Sequence, residues 1–110
     1  MDITVKNLQD YLFHHYGGHA TEQSMFMKLV EEMGEVAEIL NKRAGRKASG
    51  EDDLQRQLAN ELADVIHYTV AIAAINNIDL TGTIISKDKT AAVKYHHDIN
   101  LETFLRTHGD

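Results

Sequence analysis

Two carboxylate pairs, Glu32 with Glu35 and Glu61 with Asp64, constrain this chain more than any other feature. The members of each pair are three residues apart, and each pair abuts the apolar stripe of its own segment. At about 100° per residue, with Glu32 as origin, Met25, Leu29, Met33, Val36, Ala37 and Leu40 occupy roughly 20° to 140°, and Glu35 falls at about 300°. Counting from Glu61 instead, Leu54, Leu58, Val65 and Ile72 occupy about 20° to 60° and Asp64 falls at about 300°. The two segments therefore have the same phase relation between acid and apolar surface. If they face one another as helices, all four acids enter one seam.

Four carboxylates in a partly buried seam repel one another, and desolvation adds to the cost, so the arrangement needs a cation. With no cysteine in the chain and no histidine at matching spacing, the ligand set is all oxygen, which favours Mg²⁺, or alternatively Mn²⁺, over zinc or copper. Glu32, Glu35, Glu61 and Asp64 are the expected ligands. Because Mg²⁺ keeps several waters and commonly binds substrate phosphates, a phosphorylated substrate is expected with it. Lys28, Glu31 and Glu38 share the acidic arc, at about 320°, about 260° and about 240°. For Glu31 and Glu38 alone a solvated helix face is a sufficient account, and Lys28 could pair with Glu32 along the helix.

A length of 110 residues with 43% hydrophobic content corresponds to one domain, 1–110, near the size where self-association helps. The formal charge of -6 argues against a nucleic-acid partner, and would repel a triphosphate too unless metal ions and lysines reverse the local field. The lack of cysteine suits a reducing cytoplasm. No h-region follows Asp2 and no apolar run approaches the ~20 residues of a membrane span, so a cytoplasmic protein without membrane contact is expected. Without proline, and with few strand-like alternations, the chain reads as all-α, an antiparallel bundle of about four main helices plus a short C-terminal one.

Thr4 can cap a first helix that Gly17 and Gly18 end, and Thr21 a second that runs to about Ala44 and stops at Gly45. His14, His15 and His19 read as surface or capping residues. The polar stretch GRKASG, with Arg46 and Lys47, is an expected loop, and Ser49 caps the third helix. From Val65 to Ile75 that helix is apolar nearly all round, which predicts contact on several faces and a homodimer or homotetramer whose interface includes it. His67 is read as a core or interface histidine. A turn at Asn77-Ile78-Asp79 precedes a fourth helix, to about His96, on which Lys87 and Lys94 flank Ala91 as a shelf for a polyphosphate. Lys89 faces away and reads as solvated. Asn100 caps the last helix.

The string EEMGEVAE followed by ELADVIHYTVAIAAINNIDL resembles the MazG-type all-α nucleotide pyrophosphohydrolases, whose signature is EExxE and then ExxD after a loop. The likeness runs from about Glu22 to Tyr95. It implies an apolar helix after ExxD and a lysine-bearing last helix, with Lys87 in the place of the family's phosphate-binding lysine and Lys94 where arginine is frequent. The family's asparagine between them is Ala91 here, and its tryptophan after the first acidic motif is replaced by Leu40-Asn41-Lys42.

The resemblance implies hydrolysis of a nucleoside triphosphate to monophosphate and pyrophosphate. Glu31 or Glu38 would orient or deprotonate the attacking water, and Lys28, Lys87 and Lys94 would bind phosphates. Phosphoribosyl-ATP pyrophosphohydrolase is an alternative, since a K-x-x-E-E-x-x-E string is present at Lys28 to Glu35. A non-catalytic helical dimerisation or regulatory module on the same scaffold is another.

Overall fold

Helix starts in this chain are set by side chains that satisfy orphan backbone donors. Thr4 accepts from the Asn7 N–H and Asn7 returns a bond to the Thr4 N–H, both at 3.0 Å, a reciprocal cap that starts α1 (Val5–Tyr16). Thr21 accepts from the Ser24 N–H at 3.1 Å and starts α2 (Glu22–Ala44), which ends at Gly45. The computed structural model describes residues 1–45 and 51–108, and the side chains of residues 51 and 52 are outside that description. The expected cap Ser49, and Arg46 and Lys47 of the connecting loop, lie outside the described residues. Next come α3 (Glu51–Ile75), α4 (Leu80–Lys94) and α5 (Leu101–His108), with no strand among the described residues, so the chain is all-α.

The helices fall into two compact units, Met1–Ile78 and Asp79–Asp110. In the first, α3 packs against both α1 and α2, which accounts for its being apolar nearly all round. Val70, Ala71, Ala73 and Ala74 of that stretch are buried, together with Leu12 of α1, Met25 and Ile39 of α2, and Leu54 of α3. By length and composition Asp53–Ile75 could span a membrane, contrary to the expectation from sequence. A core helix carrying Glu61 and Asp64 in its middle meets the same criterion. The α1–α2 turn needs Gly18, whose φ of 90° is a conformation L side chains rarely adopt.

The stripe expected on α2 is rotated. Met25 is buried and Leu29 and Val36 are half-buried, but Met33, Ala37 and Leu40 are exposed, while Ile39 and Glu32 are buried. The contact with α3 is thus centred on the phase of Glu32 itself.

Both α3 and α4 end by the same device. Asn77 (φ 56°) and His96 (φ 60°) take left-handed conformations, and the residues after them, Ile78 and His97, donate back to the Ala73 and Ala92 carbonyls at 3.0 and 2.9 Å. This stops α4 at Lys94, two residues before the expected end. In the second unit, Asp88 accepts from the Leu101 N–H at 2.6 Å, while Asn100 caps α5 by accepting from the Thr103 N–H at 2.9 Å. Lys89 is not merely solvated: its Nζ lies 2.8 Å from Glu102, which Arg106 also meets at 3.1 Å. These cations hold the Glu102 carboxyl below its usual range, the Lys89 hydrogen bond foremost.

Leu12 is fully buried, so Leu12→Ala should lower the unfolding free energy by about 3 kcal/mol through lost transfer energy and a residual cavity. Urea denaturation followed by far-ultraviolet dichroism measures it.

Candidate metal centre

Rotation of the α2–α3 contact toward the acids decides the geometry of the site. Glu32 is only 9% exposed. One carboxylate oxygen each from Glu32, Glu61 and Asp64 lie within 4.8 Å of one another, and a second such set joins Glu31, Glu32 and Glu35. Glu32 belongs to both. All four acids expected as ligands are thus brought to one seam, and Glu31 joins them.

Glu61 records the electrostatic consequence. Its pKa is raised from 4.5 to about 7, first because its carboxyl shares a proton with Glu32, then through desolvation and through Glu35. Its Oε1 is buried without a hydrogen-bond partner. An unsatisfied carboxylate oxygen among acids is poor protein chemistry by itself and good ligand chemistry. Bonds of about 2.0–2.6 Å from a hard divalent cation can reach oxygens spaced as in either set. The all-oxygen donors present therefore fit a hard divalent cation.

The remaining expected residues separate. Lys28 bonds Glu31 at 3.2 Å rather than Glu32, because Glu32 is turned into the contact with α3. That bond raises the Lys28 pKa. Glu38 is exposed and belongs to neither carboxylate set, yet it lines a groove of about 620 Å³ that starts at Glu31 and Glu35 and runs past Gly34 and Ala37 to Asn41 and Lys42. Every lining residue is on α2. A Cβ at Gly34 would meet no atom within 4 Å, so the groove is open there. Lys87 and Lys94 are exposed on α4 in the second unit, Lys94 with its Nζ 5.3 Å from the Tyr95 ring centroid.

Sequence reasoning passed over Lys42, although its phase of about 280° puts it in the acidic arc, and a completed wheel would have found it. It also missed Tyr16, whose hydroxyl lies 2.7 Å from His67 Nε2 and ties the last turn of α1 to α3. No local pattern signals that pairing. It settles His67 as a structural partner, outside both carboxylate sets.

Residues 20–96 match the MazG nucleotide pyrophosphohydrolase domain. A protein of Bacillus subtilis (strain 168) described as uncharacterized protein YpjD is 29% identical over 84 residues, which cover 73% of this chain and 74% of that one. The crystal structure of iMazG from Vibrio DAT 722 is similar with a TM-score of 0.64 and 30% identity, over 84% of this chain and 98% of that chain. With its acid-bearing helix pair inside the matched segment, the chain belongs to the MazG nucleotide pyrophosphohydrolase family.

Proposed function

We propose that the protein is a Mg²⁺-dependent nucleoside triphosphate pyrophosphohydrolase that releases a nucleoside monophosphate and pyrophosphate. The observation that carries this reading is the acid seam itself, in which Glu32 is common to two carboxylate sets and Glu61 keeps a buried oxygen without a partner. Glu32, Glu35, Glu61 and Asp64 would hold the cation, with Mn²⁺ as a substitute. When bound, the cation supplies neutralisation of polyphosphate charge and acidification of a water.

The remaining steps belong to the side chains. Glu31 or Glu38, at the rim of the seam, accepts a proton from the water that attacks the α-phosphorus, and the bond from that phosphorus to the α–β bridging oxygen breaks. The phosphate-binding role is proposed for Lys28 on the first unit and for Lys87 and Lys94 on the second, each acting as a point charge. We further take residues 1–110 as one functional domain, working in the cytoplasm as a homodimer or homotetramer, with no nucleic-acid or membrane partner.

A panel of canonical and modified nucleoside triphosphates with Mg²⁺ tests the reaction. Equal yields of monophosphate and pyrophosphate are expected, and orthophosphate alone would overturn it. Faster turnover of phosphoribosyl-ATP than of any free triphosphate would move the substrate to that compound. Asp64→Asn and Glu35→Gln should each reduce kcat/KM at least about 100-fold, roughly 2.7 kcal/mol of transition-state stabilisation. Undiminished activity in both would remove these acids from the reaction, and no pyrophosphate release from any nucleotide would leave only a non-catalytic module.

Metal-free stability gives a second test. Glu61 binds its proton more tightly in the folded protein, at about 7, than at its ordinary 4.5, so its protonated form stabilises the fold. That contribution is complete below 4.5 and is lost as pH rises through about 7. With chelator present, Tm should therefore fall across this window, and Glu61→Gln should flatten the fall. Mg²⁺ should restore Tm on the alkaline side. A Tm above neutrality that ignores Mg²⁺ at constant ionic strength would count against the metal.

A further inference from the structure

Gly34 is a glycine without a local reason. Gly18 needs its left-handed backbone and Gly45 ends a helix, but Gly34 lies in the middle of α2 with helical backbone. Glycine is less stable than alanine at such a position, and close approach of a neighbour is the usual reason for it. Apart from its own helix backbone and chain neighbours, no described atom lies within 4 Å of where its Cβ would be. The room that this glycine leaves is therefore not filled by the chain itself.

That room opens into the groove beside the acids. Glu31 and Glu35 belong both to the lining of the groove and to a carboxylate set, so groove and metal centre are continuous. From the acids the groove passes Gly34 and Ala37 toward the C-terminal end of α2, where Lys42 lies about 10 Å along the axis from Glu35. Lys28, on the N-terminal side of the acids, is outside the lining and bonds Glu31. The groove thus leads away from the acids in one direction.

We propose that this groove receives the nucleoside of the substrate, with Gly34 kept bare so that the sugar crosses close to the α2 backbone, and with Lys42 selecting a base that carries a keto group. The proposal rests on the acids being the polyphosphate site, and it gives the substrate a direction, with the base toward Lys42. Lys42 is the one cation among the described residues that line the groove, and it makes no ion pair among the described residues. An ammonium group donates and cannot accept. Against guanine or hypoxanthine it meets two neighbouring acceptors, the keto oxygen and the ring nitrogen N7, whereas adenine sets an amino donor in place of the oxygen. Asn41, with a donor and an acceptor, suits either edge, and a charged donor outweighs it.

Inosine and adenosine triphosphates, which differ at a single purine carbon, test the assignment on the full chain with Mg²⁺. The unaltered protein should favour the inosine compound in kcat/KM by about 10-fold or more. Lys42→Met should abolish that preference and Lys42→Arg should keep it. Gly34→Leu should raise KM for both compounds by about 10-fold or more, with a smaller change in kcat and with helix content and Tm retained, since the chain leaves space for the side chain. Equal turnover of the two compounds, or a preference that survives Lys42→Met, overturns the role of Lys42. An unchanged KM in Gly34→Leu overturns the groove, and so does a change in assembly mass by light scattering in place of a change in KM, because another copy of the chain then fills it. If no triphosphate is turned over, calorimetric titration with inosine and adenosine monophosphates decides. Tighter binding of the inosine compound, lost in Lys42→Met, upholds the groove while the reaction fails, and equal or absent binding overturns the groove.

Discussion

Mutual repulsion among carboxylates gathered at Glu32 is the constraint around which this protein is built. A helix pair would ordinarily meet through aliphatic side chains, and here the contact is centred on an acid. That centring makes Glu32 common to two carboxylate sets, one with Glu31 and Glu35 and one with Glu61 and Asp64, and the neighbouring acids push the Glu61 carboxyl up to about 7. The fold therefore carries an electrostatic penalty at its middle, relieved by a proton or by a cation. Sites that concentrate like charge do so at the expense of stability, and here the same residue, Glu32, lies at the core contact and in both carboxylate sets.

The rest of the first unit supports that helix pair. Leu12 seals one side of α3, and the Tyr16–His67 bond fixes the end of α1 against the turn that follows Asp64. Small residues, Ala71, Ala73 and Ala74, let α3 lie close to its neighbours.

Helix identity was legible in the residues because it rests on local interactions. Caps at Thr4, Thr21 and Asn100, the stop at Gly45 and the i, i+3 acid spacing each act within a few residues, and the structure reproduces them. The meeting of Glu32, Glu35, Glu61 and Asp64 followed from equal phase on two helices, which is again a property of spacing. Spacing did not reveal the end of α4, where His96 adopts a left-handed conformation more usual for glycine or asparagine. Nor could it reveal that Lys89 pairs with Glu102, since no local rule links residues on separate helices.

By itself, then, the sequence determined that the chain is helical, where its helices begin, and that its acids share one edge. Only tertiary structure decided which part of each helix is turned inward. A wheel gives angles between side chains but no absolute direction, and the direction is set by what packs alongside. For α2 the neighbour is α3, and the inward phase falls on Glu32 rather than on Met33 and Leu40. That rotation of a fraction of a turn makes an acid part of the core contact and leaves an apolar stripe facing outward.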